Sequence, residues 1–136
     1  MQSNPLFIDL SPEQSALIEG GYIFHLHSIK AIKAGADRDG VDEAYLAFFP
    51  SMGRVNKIWE RSMKTGDVAR INQRVPISRV GRTSLALFDA DTCSSDDLIG
   101  VVSKPRPAPI PLLLGRGTIR LSGSGSTYDL TYSITA

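Results

Sequence analysis

A chain of 136 residues suffices for one ordinary domain and is too short for two with a linker. With 42% apolar and 21% charged residues, its composition is that of a globular chain rather than a disordered one, and no run reaches the roughly 18 apolar residues of a membrane-spanning helix. Fifteen basic residues against fourteen acidic ones give +1, so no global field favours nucleic acid or membrane, and one cysteine, Cys93, excludes an internal disulfide and a multi-cysteine zinc site.

The segment before residue 22 reads as a short helix. Ser11 is an N-cap, Pro12 takes the first helical position, and Gln14 stands where a capping box wants an amide. Ala16, Leu17 and Ile18 continue the helix, and Gly20 and Gly21 end it. At about ten residues it is marginal in isolation. It lacks the basic start and apolar core of a secretory signal peptide.

From Tyr22 the period changes to two. Tyr22, Phe24 and Leu26 face one way, and Ile23, His25 and His27 face the other. Residues 35–40 form a loop, and Ala44 to Phe49 a second strand stopped by Pro50. Lys57 to Arg61 predicts a short strand around Ile58 and Trp59, residues 64–67 a turn, and Val68 to Val75 another strand. Ser84 to Phe88 and Leu98 to Val102 are strands flanking an acidic loop at 89–97. Four prolines from Pro105 to Pro111 make that stretch irregular or an edge connection. Thr118 to Leu121 and Thr127 to Ile134 close the chain, joined through Ser122 to Ser126, which fits a hairpin loop. About eight short strands with turn signals between them predict an all-β fold, an antiparallel eight-stranded β-sandwich over residues 22–136, behind the short N-terminal helix of residues 1–21.

The balanced net charge hides a local imbalance. Eight of the fourteen acids fall in two short windows, Asp37, Asp39, Asp42 and Glu43 in one and Asp89, Asp91, Asp96 and Asp97 in the other. A single acidic loop is by default a solvated loop. Two such windows, each abutting a strand, are a different matter. Alternation points Asp89 and Asp91 the same way at a strand end, and residues 92–96 turn back to present Asp97. Carboxylates this crowded repel one another unless a cation sits among them. Hard divalent cations take oxygen ligands, six to eight for calcium. The spacing and the flanking strands rule out an EF-hand.

The stretch Leu87-Phe88-Asp89-Ala90-Asp91-Thr92-Cys93-Ser94-Ser95-Asp96-Asp97-Leu98-Ile99-Gly100 resembles the third calcium-binding loop of C2 domains: an apolar strand, D-x-D, a serine-rich turn, then an acid followed by two apolar residues and glycine. Asp39 to Leu46 resembles the first loop, with Glu43-Ala44-Tyr45 where an Asp-Pro-Tyr triplet is expected, so that either Glu43 or Asp42 stands as the ligand. Small bacterial proteins built on a C2-like sandwich are similar as well. The resemblance implies calcium held between loops at one end of the sandwich, with Asp37, Asp39, Asp42, Asp89, Asp91 and Asp97 as ligands and Glu43 and Asp96 as substitutes. It does not by itself imply lipid binding. At the other extreme of the chain, Leu10-Ser11 with Ile18, Gly20 and Gly21 is similar to double-glycine leader peptides of bacteriocin-like precursors, which are cut after the second glycine by the peptidase of an ABC exporter. Ser15 departs from that pattern, which wants an apolar residue there.

The remaining features carry less. His25 and His27 share a strand face at i, i+2, but no third soft ligand is near in sequence, and a solvated face is the default. Cys93 lies among carboxylates, which suppress thiolate formation. Trp59 reads as core. Lys30, Lys33, Lys57, Arg61 and Lys64 read as scattered solvated charges rather than one basic face. The expectation is therefore a calcium-binding module, not an enzyme, with no catalytic residue, whose loop end is a candidate surface for a phospholipid membrane or another protein and not for nucleic acid. A second reading is an exported bacteriocin-like effector, secreted if cut after Gly21 and otherwise cytoplasmic. A third is a hydrolytic enzyme using paired carboxylates for acid–base work.

Overall fold

The computed structural model describes residues 22–50, 53–77, 83–92, 94–104 and 115–135. The expected N-terminal helix, the leader-like motif and its two glycines, Cys93 and the four prolines lie outside these residues. Among the described residues the chain forms eight strands: β1 (Tyr22–Lys33), β2 (Val41–Phe49), β3 (Asn56–Lys64), β4 (Val68–Ile77), β5 (Thr83–Asp89), β6 (Asp97–Lys104), β7 (Gly115–Gly123) and β8 (Ser126–Thr135). Neighbouring strands are antiparallel, in two four-stranded sheets ordered β4-β1-β8-β7 and β3-β2-β5-β6. The expected eight-stranded sandwich is the observed one.

Most strands outrun their apolar cores. β3 extends past Arg61 to Lys64, and β7 begins at Gly115 rather than Thr118. A half-solvated antiparallel sheet lets polar residues keep their ladder bonds on the outer face, so apolar patterning marks only the middle of each strand. β2 begins at Val41, so Asp42 and Glu43 lie within a strand and not in the loop. In β1 the ladder shifts between Leu26 and Ser28 against both neighbours: against β8 His27 is the extra residue of a bulge, whereas against β4 the extra residue lies on β4, where Ile71 and Asn72 stand opposite His27.

The core lies between the sheets. Leu26, Ile29, Leu46, Met63, Leu87, Ile99, Tyr128 and Leu130 are fully buried there, and each apolar side chain so buried is worth about 1.5–3 kcal/mol over the exposed state. Trp59 packs against this cluster from its edge, in keeping with its reading as core. On the far side the edges of β6 and β7 close the sandwich: Ser124 Oγ donates to the Leu98 carbonyl at 2.9 Å.

Register sets which loops meet. Lys33 of β1 pairs with Thr127 of β8, Lys64 of β3 with Val41 of β2, and Asp89 of β5 with Asp97 of β6. The β1–β2 loop, the β5–β6 loop and the β7–β8 turn therefore gather at one end. The β7–β8 turn is tight, with Ser124 and Gly125 both at positive φ (53° and 85°), the backbone that two-residue hairpins prefer. Gly35 and Gly125 pack backbone to backbone: a Cβ on Gly35 would lie 2.6 Å from the Gly125 carbonyl oxygen. That contact brings the β1–β2 loop against the β7–β8 turn.

Candidate metal centre

Three of the eight acids meet. Asp37 from the β1–β2 loop, Asp89 at the end of β5 and Asp91 two residues later each offer a carboxylate oxygen within 4.8 Å of the others. Calcium–oxygen distances of about 2.4 Å let oxygens on opposite sides of one ion stand about 4.8 Å apart, so this spacing fits a calcium ion.

Asp89 is the centre of the group. It is fully buried, and its Oδ1 accepts a 2.6 Å hydrogen bond from the Glu43 backbone N–H. Its Oδ2 is buried with no hydrogen-bond partner. A buried carboxylate oxygen left without a donor is costly, of the order of 1–3 kcal/mol or more. Burial pushes the Asp89 carboxyl up to about 7, with Asp37, Asp42 and Asp91 adding to the push against the Glu43 N–H. Asp37 is also raised, by burial first and by Asp91 next, while a hydrogen bond from Glu43 lowers it. Glu43 is raised by burial and then by that same bond. The ion pairs Lys57–Glu60 and Arg120–Asp129 lie apart from this cluster and leave its repulsion standing.

The other acids of the two windows are engaged elsewhere. Asp42 is fully buried, and three donors meet it: the Ala36 N–H on Oδ1, and the Ser126 and Tyr128 hydroxyls on Oδ2, both at 2.7 Å. It ties the start of β2 to the start of β8 and so clamps one sheet to the other. Asp39 Oδ1 accepts the Val41 N–H, capping the entry to β2. Asp96 accepts the Tyr45 hydroxyl on Oδ2 and the Asp91 N–H on Oδ1, which fixes the loop that presents Asp91. Those two bonds hold Asp96 below the usual carboxylate range, and burial, then Asp96, pushes Tyr45 up to about 12. Asp97 opens β6 opposite Asp89. Glu43 reaches the cluster through Asp37. Ser126 and Tyr128 had no part in the sequence reading of this end, and Tyr45 entered it only as the tyrosine of the Glu43-Ala44-Tyr45 triplet. Tyr128 was legible only as an inward-facing strand residue.

The basic residues singled out in sequence do not share a face. Lys30 and Lys33 lie on β1 in one sheet, and Lys57, Arg61 and Lys64 on β3 in the other. Lys57 sits over the Tyr45 ring, 4.6 Å from its centroid. His25 and His27 do lie together, ring centroids 4.1 Å apart, with His25 Nε2 3.1 Å from Asn72 Oδ1 and His27 Nε2 2.8 Å from Ser133 Oγ.

No family model matches the chain, and no curated protein does. Solved structures match by shape. A structure described as that of a C2 domain aligns with a TM-score of 0.54 at 13% identity, covering 85% of this chain and 99% of that one. A C2 domain of plant extended synaptotagmin 1 gives 0.56 at 8% identity, over 85% and 95%. Human GIVD cytosolic phospholipase A2 gives 0.52 at 14% identity, over 84% of this chain but only 16% of the enzyme. The chain has a C2-like β-sandwich fold, with an acidic cluster at one end of it.

Proposed function

We propose that the chain is a non-catalytic calcium-binding module, whose loop end engages a membrane surface or a protein partner when the ion has neutralised its carboxylates. The observation that carries this reading is Asp89 Oδ2, buried without a donor on a carboxylate that meets those of Asp37 and Asp91. A bare cation is the partner such an oxygen lacks. Asp37, Asp89 and Asp91 would hold the ion, with Glu43 at hand beside Asp37. When bound, calcium supplies positive charge and coordination for these oxygens. The C2-like fold of the neighbours supports the same reading.

Calorimetric titration with calcium, against magnesium as the competing ion, tests it. Saturable binding of calcium, with magnesium weaker because it demands tight octahedral geometry, is the expected result. Asp91→Asn should weaken that binding at least tenfold while leaving the fold intact. Absence of heat with both ions, or equal binding by wild type and Asp91→Asn, would overturn the assignment.

A further inference from the structure

The outer face of the β4-β1-β8-β7 sheet holds a second side-chain cluster, apart from the loop end. Two irregularities of the ladder meet there at His27. It is the extra residue of β1 against β8, and on β4 the pair Ile71 and Asn72 stands opposite it. Asn72 is held at φ 51°, a left-handed backbone that asparagine tolerates better than most residues. Bulges re-aim side chains, and these bring His25, His27, Asn72 and Ser133 together. The two histidine rings have centroids 4.1 Å apart and planes 44° from one another. His25 Nε2 lies 3.1 Å from Asn72 Oδ1, and His27 Nε2 lies 2.8 Å from Ser133 Oγ.

We infer that His25 and His27 form a two-imidazole site for a borderline transition-metal ion, copper(II) above all, with Asn72 and Ser133 orienting the rings. The site shares no residue with the acidic cluster and does not rest on calcium there. The hydrogen bonds decide which ring atoms are free. Asn72 Oδ1 can only accept, so His25 Nε2 carries the proton and Nδ1 of the neutral ring keeps the lone pair. With Ser133 Oγ accepting from Nε2, His27 is the same tautomer. Metal-bound histidines are oriented in this way, by an acceptor on the nitrogen that does not touch the metal. The ring spacing agrees. With metal–nitrogen bonds of about 2.0 Å and ring centroids about 1.1 Å beyond the nitrogens, two imidazoles at right angles on one ion have centroids about 4.4 Å apart. The observed 4.1 Å is close to that.

The surroundings choose the metal. Among the described residues no carboxylate joins the pair. Asp129, on the same face, is held by Arg120 through two hydrogen bonds of 2.8 and 3.0 Å. Burial, then His25 and Arg116, hold His27 below the ordinary histidine value, which keeps its lone pair available at neutral pH. A hard ion such as calcium, which binds through charge and oxygen, gains nothing from two neutral rings beside a guanidinium. Imidazole nitrogen suits copper, zinc and nickel, and copper(II) stands highest in that series. A structural zinc site closes with four protein ligands, two more than this pair supplies. The tetragonal preference of copper(II) is met by two imidazoles with water in the remaining positions.

Copper(II) titration of the full, tag-free chain tests the site, with pulsed electron paramagnetic resonance to detect the remote nitrogens of coordinated imidazoles. The chain has two histidines, so that signal reads this pair directly. A Cys93→Ser background removes the thiol that would reduce copper, and millimolar calcium throughout competes for carboxylate oxygens. One equivalent should bind with a two-imidazole signal, and more tightly than zinc(II) does. His25→Gln and His27→Gln should each weaken binding about tenfold or more and leave a one-imidazole signal. Asn72→Gly accepts the positive φ and removes the acceptor, so it should cost about 10–100-fold in affinity while Tm moves by about a degree or two. Asn72→Asp, a stronger acceptor for His25 Nε2, should bind at least as tightly as wild type. A one-imidazole signal from wild type at one equivalent, single histidine variants with wild-type affinity, wild-type affinity in Asn72→Gly, weaker binding by a folded Asn72→Asp, or zinc(II) held more tightly than copper(II) would each overturn it.

Discussion

Replacing Asp89 by asparagine should stabilise the calcium-free protein, an unusual result for a fully buried residue. The ordinary aspartate value is near 3.8 and the folded one about 7. Below about pH 4 the carboxyl is protonated in both folded and unfolded chains, so it imposes no penalty. Between about 4 and 7 the folded state binds more protons than the unfolded one, so stability falls as pH rises, and the loss is complete above 7. The full interval bounds that loss at about 4 kcal/mol. Relaxation and water reduce it, and about 2 kcal/mol is the expected size. Asparagine keeps an Oδ1 acceptor for the Glu43 N–H and places an NH2 donor at the Oδ2 position, where the carboxylate oxygen has no hydrogen-bond partner. In chelator at pH 8, Asp89→Asn should therefore be about 2 kcal/mol more stable than wild type, or about 8 °C higher in Tm at roughly 4 °C per kcal/mol. At pH 4 the two should coincide. Denaturant unfolding of both proteins across pH 4–8 measures the difference directly, and other titrating groups cancel in it. A variant that is less stable than wild type at pH 8, or a difference that does not change with pH, would refute the reasoning.

Other outcomes follow from the same geometry. Tyr128→Phe leaves Asp42 Oδ2 with Ser126 alone and should cost about 1–3 kcal/mol in urea unfolding, with calcium affinity changed less than threefold. A stable variant that no longer binds calcium would make Asp42 a ligand instead of a clamp. Gly35→Ala drives a Cβ into the Gly125 carbonyl, so the β1–β2 loop must shift. Tm should fall by several degrees, and calcium should bind more weakly because Asp37 moves with the loop. Tyr45→Phe frees Asp96 from one of its two bonds and should weaken calcium binding a few-fold through Asp91 without moving Tm by more than a degree or two. Calcium binding at pH 7 should release about half a proton, since burial pushes the Asp89 carboxyl up to about 7, and calorimetry in PIPES and in Tris, which differ in ionisation enthalpy and do not precipitate calcium, should report enthalpies that differ accordingly.

The sandwich was legible because alternation survives in strands such as β8, with Tyr128, Leu130 and Ile134 against Asp129, Thr131 and Ser133. The ends were not, because nothing apolar marks the ladder bonds of residues such as Ser62 and Lys64. At the acidic end, D-x-D spacing after an apolar strand was enough to bring out Asp89 and Asp91. Asp42 looked the same as its neighbours in sequence. What distinguishes it is two hydroxyls 84 and 86 residues away, delivered by β8, and no local pattern encodes them.

A crystal structure of the protein grown with calcium tests the site most directly. An ion bound among Asp37, Asp89 and Asp91, with Asp89 Oδ2 about 2.4 Å from it and Asp42 still bonded to Ser126 and Tyr128, is the expected arrangement. Calcium-soaked crystals with no ion at these three carboxylates, or with the ion drawn instead to Asp42, would contradict it.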